Sequence, residues 1–151
     1  MRTVIQRTLL PASVKVNEKI SGEIEKGLIV YLGVEATDTS EDIAWLARKL
    51  INLRIFNDEN GKMNLSLNDI SGGILLISQF TLFASTKKGN RPSYLRSAPP
   101  EIAKEKYDEM ILHIKENYNC PIATGIFGAD MKVDYINDGP VTICIDTKNK
   151  E

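Results

Sequence analysis

Aliphatic and β-branched residues crowd positions 4–10, 12–16 and 27–34, and the breaks between these stretches consist of Pro11, the Asn17-Glu18 pair and Gly22. Branching at Cβ with turn-forming residues at the edges predicts three early strands. The period then changes. Ile43, Leu46, Ala47, Leu50 and Ile51 recur at helical spacing behind an N-cap candidate at Thr39-Ser40. Glu41 and Asp42 fall in the first turn, where the helix dipole favours negative charge. Residues 54–56 and 62–67 flank Asn57-Asp58-Glu59-Asn60-Gly61, whose composition supplies positive φ angles, so two short strands joined by a hairpin loop are predicted.

Gly72-Gly73 leads into Ile74-Leu75-Leu76-Ile77, a continuous apolar run of the kind covered on both faces of a sheet. This central strand delivers Ser78-Gln79-Phe80-Thr81-Leu82, where polar side chains stand at the point a buried strand would otherwise continue. Behind Pro99-Pro100, Ile102, Ala103, Tyr107, Met110, Ile111, Ile114 and Tyr118 mark a second amphipathic helix ending near Asn119. Residues 131–136 and 141–145 read as a last strand pair joined through Asn137-Asp138-Gly139-Pro140. No internal repeat or low-complexity linker interrupts the chain. The expectation is one compact α/β domain over residues 1–151, with at least seven strands and two helices. Two helices cannot cover both faces of so much sheet. Either a mixed β-sheet curls over itself into barrel-like layers, or a second copy covers the remainder as a homodimer.

The length of 151 residues and a hydrophobic content of 42% suit a single core. A net charge of -1 leaves no global positive field to hold nucleic acid, DNA included, or an anionic membrane nonspecifically, so any such contact must be local. Cys120 and Cys144, the two cysteines, suit buried or half-buried thiols and not a disulfide framework or a CxxC pair. The first residues lack an apolar stretch of signal-peptide length and no run approaches a membrane span, so a cytoplasmic setting is expected.

Familiar catalytic constellations are missing. The single histidine, His113, lies on the second helix and is expected to point to solvent. No Ser/His/Asp or Cys/His set, HExxH, paired Cys/His spacing or phosphate-binding glycine loop is present, and neither a metal nor a cofactor is expected. Asp130, Asp134 and Asp138 cluster in sequence as possible carboxylate catalysts, yet they equally suit a polar strand face and a turn.

Two segments remain. Ser78, Gln79 and Thr81 offer hydroxyls and an amide at the C-terminal end of a covered strand, where α/β sheets place ligands. If pairing stops there, the N–H groups of Phe80 and Thr81 become donors for a tetrahedral oxyanion. Thr81 as a covalent nucleophile, acting on some other ester, is an alternative that lacks a visible base. Gly139-Pro140 reads as a tight turn, or, if cis, as a rigid pair of carbonyls able to grip an ammonium group and exclude bulky substituents. No acidic residue occurs between Asp69 and Glu101, while Lys87, Lys88, Arg91 and Arg96 lie among Gly89, Asn90, Pro92 and Tyr94. That basic loop suits a few phosphate contacts, and a noncatalytic RNA-binding module is the second alternative.

Over nearly its whole length the chain resembles the D-aminoacyl-tRNA deacylases, the D-Tyr-tRNA(Tyr) deacylase family. The resemblance rests on Val4-Ile5-Gln6-Arg7, Gly33-Val34, Arg54-Ile55-Phe56, Gly61-Lys62-Met63-Asn64, Ser78-Gln79-Phe80-Thr81-Leu82, Arg91-Pro92-Ser93, Gly128-Ala129-Asp130-Met131 and Asn137-Asp138-Gly139-Pro140-Val141-Thr142, in that order. Phe83, Ser85 and the tail from Lys148 to Glu151 fall outside it.

The resemblance implies an α/β homodimer with active sites at the subunit interface. It also implies hydrolysis of the ester that joins a D-amino acid to the 3′-terminal ribose of tRNA, with glycyl-tRNA as a second substrate. On this footing Gly139-Pro140 would be a Gly-cisPro element inserted into the pocket of the other subunit, holding the amino group and excluding an L side chain. Ser78, Gln79, Phe80 and Thr81 would line the ester, with backbone donors at Phe80 and Thr81, and Arg7 would orient the Gly-Pro carbonyls. The ribose 2′-hydroxyl and a positioned water would replace a side-chain base.

Overall fold

A computed structural model of the chain describes residues 1–150. Its strands are β1 (Arg2–Thr8), β2 (Ala12–Val16), β3 (Lys19–Ile24), β4 (Gly27–Gly33), β5 (Phe56–Asn57), β6 (Met63–Leu65), β7 (Gly73–Ser78), β8 (Ile122–Thr124), β9 (Lys132–Asp134) and β10 (Thr142–Asp146). The helices are α1 (Ser40–Asn52) and α2 (Pro100–Asn117), and a 3-10 turn spans Phe80–Phe83. A large sheet runs β10-β1-β4-β7-β8, a small one runs β3-β2-β9, and β5 and β6 form a separate ribbon.

The apolar runs explain the layering. β4 and β7 pair in parallel, as do β7 and β8, and α1 and α2 lie in the crossovers between them. Leu28, Val30, Leu32, Ile74 and Leu76 point to the helices and pack with Leu46, Leu50, Met110 and Ile114. The alternate residues Ile29, Leu75 and Ile77 point the other way, onto Ala12, Val14 and Ile24 of the small sheet. Helices, large sheet and small sheet are therefore three stacked layers, and β7 is covered on both faces as its continuous apolar run requires.

Several expectations change. The sheets stack without closing into a barrel. Asn17 and Glu18, with φ of 49° and 63°, do not end the strand region but form a hairpin turn into β3. Gly22 lies inside β3 because the two sheets approach closely there: a Cβ would stand 2.5 Å from the Thr124 carbonyl oxygen. β9 and β10 are not partners. β9 pairs with β2 and β10 with β1, so residues 137–141 cross between layers instead of closing a hairpin. The strands expected at 54–56 and 62–67 shrink to β5 and β6 around a loop in which Asp58 Oδ1 accepts from the amides of Asn60 and Lys62. The short β8 has too little pattern to be read in sequence.

Cys120 is half-buried, and burial pushes its thiol up to about 11, which leaves it protonated at neutral pH. Cys144, contrary to expectation, is exposed. It lies on the half of the large sheet that the small sheet does not reach, where Thr142 is exposed and Val4 and Gln6 are half-buried. Among the described residues no helix is long and apolar enough to cross a membrane.

α1 starts with a reciprocal cap: Thr39 Oγ1 accepts from the Asp42 amide at 3.4 Å and Asp42 Oδ2 accepts from the Thr39 amide at 2.9 Å. Lys148 Nζ also donates to Asp42 Oδ2 at 2.5 Å, tying the segment after β10 to the helix. Burial opposes ionisation of Asp42, but Lys148 and Thr39 outweigh it and hold the carboxyl well below the usual carboxylate range. A depressed folded-state pKa stabilises the protein above the unfolded value and loses that effect as pH falls. Asp42→Ala is therefore expected to cost about 1–3 kcal/mol in urea unfolding at pH 7, and the gap from wild type should narrow as pH drops below about 4.

Candidate active site

Ser78 ends β7 at the C-terminal edge of the parallel part of the large sheet, the edge at which open α/β sheets present ligands. The Gln79 amide still donates to the Leu32 carbonyl at 2.8 Å, after which the chain winds into the 3-10 turn. In that turn the Leu82 amide bonds back to Gln79 O and the Ala84 amide to Thr81 O. The first two amides, those of Phe80 and Thr81, have no acceptor among the described residues. Gly33 makes room for this turn, since a Cβ there would stand 3.0 Å from Gln79 O and 3.1 Å from the Phe83 ring.

Gln79 Nε2 donates to Thr81 Oγ1 at 2.5 Å. An amide donor cannot take the hydroxyl proton, so this contact supplies Thr81 with no base. Ser78, Gln79 and Phe80, but not Thr81, form one wall of a cavity of about 730 Å³, whose other walls include Pro99, Pro100 and Tyr107 from the start of α2 and residues 127–131. Phe80 and Tyr94, both in its lining, meet edge to face at 5.0 Å. Tyr107 is buried and donates to the Leu76 carbonyl at 2.7 Å, while burial and the charge of Asp108 hold its hydroxyl far above the ordinary tyrosine range. It is a fixed donor and not a proton acceptor. Asp130 is the one carboxylate in the described lining, which contains no His, Lys or Arg.

Gly139 and Pro140 lie elsewhere. Their peptide bond is cis, and Gly139 has φ +119°. Arg7 holds the loop with its backbone: its amide donates to Val141 O at 3.2 Å and its carbonyl accepts from the Asp138 amide at 2.9 Å. Its buried guanidinium donates from Nη2 to Asp138 Oδ2 at 2.6 Å and from Nη1 to the Ile55 carbonyl at 2.6 Å, with Asn57 Oδ1 at 3.4 Å. A Cβ on Gly139 would stand 2.8 Å from Val141 Cγ2 and 3.1 Å from Arg7 Nη2. Next to this loop, Gln6 Nε2 and Asn137 Nδ2 each donate to Thr142 Oγ1 at 3.0 Å.

The two motifs thus occupy opposite ends of one sheet. Arg7 is paired with Leu28 of β4, whereas Ser78 is paired with Leu32. Four residues along β4 and two strand spacings across separate them by roughly 16 Å. Exposed apolar side chains gather at both ends: Leu9, Leu10 and Ile136 beside the Arg7 loop, and Phe80, Leu95 and Ile126 near the cavity, with Leu95 94% exposed.

The basic loop projects just past the 3-10 turn and is pinched where Ser85 and Ser93 exchange backbone hydrogen bonds of 2.8 and 2.9 Å. Lys87, Lys88 and Arg91 are exposed on it. Arg96 instead pairs with Glu35 at 3.1 Å and lies 5.8 Å from the centre of the Phe83 ring. His113 sits near Tyr118, and Asp134 is on the exposed side of β9, both away from the cavity. Asp138 is engaged by Arg7. The sequence did not single out Tyr94, Leu95, Pro99, Tyr107, Phe127 or Met131 as wall residues. Pro99-Pro100 had signalled only a helix start, and nothing in local patterning shows that three distant segments converge.

The family model described as D-Tyr-tRNA(Tyr) deacylase matches residues 4–146. A D-aminoacyl-tRNA deacylase of Flavobacterium psychrophilum is 55% identical over 151 residues, all of both chains. One from Thermosipho africanus is 57% identical over 148 residues, 98% of each chain. Among solved structures, the c-Myc DNA Unwinding Element Binding Protein superposes with a TM-score of 0.90 at 38% identity, covering 97% of this chain and 98% of the other. A probable eukaryotic D-amino acid tRNA deacylase shares the fold, with a TM-score of 0.80 at 17% identity over 95% of this chain and 98% of the other.

Proposed function

Because this chain belongs to the D-Tyr-tRNA(Tyr) deacylase family, we infer that it is a hydrolase, a D-aminoacyl-tRNA deacylase, and we propose how its residues divide the work. The observation that carries the reading is a pair of unbonded amides, those of Phe80 and Thr81, in the turn that follows Ser78 and Gln79 out of a cavity whose lining has one carboxylate, Asp130, and no His, Lys or Arg. The ester carbonyl of the aminoacylated tRNA 3′ end lies against Phe80 and Thr81. Their N–H groups stabilise the oxyanion that forms when water adds to the carbonyl carbon, a contribution of about 2.7–4 kcal/mol per donor. The bond from the carbonyl carbon to the ribose oxygen then breaks, that oxygen takes a proton, and a free amino acid and tRNA leave. The ribose 2′-hydroxyl helps to position the water, so no metal or cofactor enters. Phe80, Tyr94, Pro99 and Pro100 offer flat apolar surface for the terminal base.

Chiral selection belongs to Gly139 and Pro140, acting across a homodimer. Within one chain Arg7, which holds the Gly-Pro loop, stands roughly 16 Å from Ser78 at the opposite end of the sheet, so the Gly-Pro carbonyls that grip the substrate amino group come from the second copy. The apolar side chains exposed at both ends of the sheet support this arrangement, since a two-fold axis sets each group against the other. An L side chain then meets the loop and a D side chain does not, while glycine, with no side chain, is also accepted. The basic loop carrying Lys87, Lys88 and Arg91, with Arg96 at its base, lies where phosphates of the acceptor end pass. A cytoplasmic location goes with this substrate.

The primary test is release of amino acid from D-tyrosyl-tRNA and L-tyrosyl-tRNA without added metal. Hydrolysis of the D ester with survival of the L ester is expected, and equal survival of both removes the reading. For the shared site, Phe80→Pro deletes one donor and Gly139→Val overfills the loop, so each protein alone should be nearly inactive. Heterodimers of the two, co-expressed with different tags and purified through both, keep one intact site and should recover about half of wild-type activity. Inactive heterodimers would exclude a site built from two copies. Replacing Lys87, Lys88 and Arg91 together with alanine should lower the slope of log affinity against log salt by about 2–3 in tRNA binding titrations.

A further inference from the structure

Asp138 is the residue of the Gly-Pro loop to which the site described above gives no task, and its surroundings suggest one. Its Oδ2 lies 2.6 Å from Arg7 Nη2, and its amide donates to the Arg7 carbonyl at 2.9 Å. The loop turns back on the same residue, since the Asp138 carbonyl accepts from the Val141 amide at 3.1 Å. Arg7 in turn is fixed from the far side by the Ile55 carbonyl, just before β5. The Arg7 side chain is 5% exposed, so its guanidinium cannot readily trade these partners for water, while the Asp138 side chain keeps 38% of its surface exposed. It also touches the space beside Gly139, where a Cβ would come within 3.1 Å of Nη2.

We propose that Asp138 is a positioning residue for chiral selection: through Arg7 it braces the Gly139-Pro140 loop against the segment before β5. This rests on the reading of Gly139 and Pro140 as the chiral selector and adds the device that keeps them in register. The chemistry favours a carboxylate. A buried guanidinium with a charged acceptor on one arm and a carbonyl on the other has its plane fixed, whereas a neutral acceptor holds it less firmly. A loop that must exclude one mirror image cannot drift, because displacement by a fraction of a side-chain diameter opens the space it guards.

The test compares Asp138→Asn and Asp138→Ala with wild type by the ratio of kcat/KM on D-tyrosyl-tRNA to that on L-tyrosyl-tRNA. Circular dichroism confirms that each variant folds. The ratio should fall at least tenfold in Asp138→Ala, equivalent to about 1.4 kcal/mol, and less in Asp138→Asn. In an Arg7→Gln background, Asp138→Ala should lower the ratio no further, because its effect passes through Arg7. If Arg7→Gln does not fold, the two single variants decide. A loss of rate on the D ester with an unchanged ratio would make Asp138 merely structural and overturn the proposal. A wild-type protein without D preference would overturn the reading beneath it, and with it this role. A folded variant with reduced selectivity in a protein that prefers the D ester supports both.

Discussion

The register of β1 and β7 on the two sides of β4 governs this molecule. Because Arg7 stands against Leu28 and Ser78 against Leu32, the rigid centre of the sheet holds the two polar segments at opposite ends. A one-residue slip in either pairing would turn every buried side chain of a strand to the wrong face, so the separation is as firm as the core itself. Leu28, Val30, Ile74 and Leu76 on one side and Ile29, Leu75 and Ile77 on the other are all fully or almost fully buried. Neither segment can approach the other by loop motion without unfolding that core.

Both ends depend on backbone more than on ionisable side chains. At the end of β7 the 3-10 turn leaves two amides without carbonyl partners, and Gly33 lets that turn close over β4. At the other end Gly139 takes a positive φ of 119° against Val141 and Arg7, where a side chain would not fit. The Arg7 guanidinium beside the Gly-Pro loop faces inward, to Asp138 and Ile55. The cavity lining carries one carboxylate, Asp130, and no His, Lys or Arg among the described residues.

Much of this was legible in the chain. The helical period from Ile43 to Ile51, with an N-cap candidate at Thr39-Ser40 ahead of it, led directly to α1, while the reciprocal bond from Asp42 back to Thr39 shows only in the fold. The unbroken run from Ile74 to Ile77 marked β7 as a strand covered on both faces, and the polar residues after it marked where pairing stops. Other features were misread because local cues are ambiguous. Asn17-Glu18 and Gly22 looked like terminators, yet the first pair makes a hairpin turn and the glycine admits the neighbouring sheet. Residues 131–136 and 141–145 looked like hairpin arms because strand patterns carry no record of their partners, and they joined different sheets.

Sequence by itself determined the two helices and most of the strands, the covered central strand, the absence of a familiar catalytic set and the two segments where chain chemistry departs from packing needs. Those properties are written in side-chain periodicity and in the conformational limits of glycine and proline, which act over a few residues. Only the tertiary structure decided that the cavity draws walls from β7, α2 and residues 127–131, that Asp138 answers Arg7, and that the two segments stand at opposite ends of one sheet. Those are distances between parts of the chain far apart in order, and they are set by which strands pair and in what register, a choice that the whole core makes together.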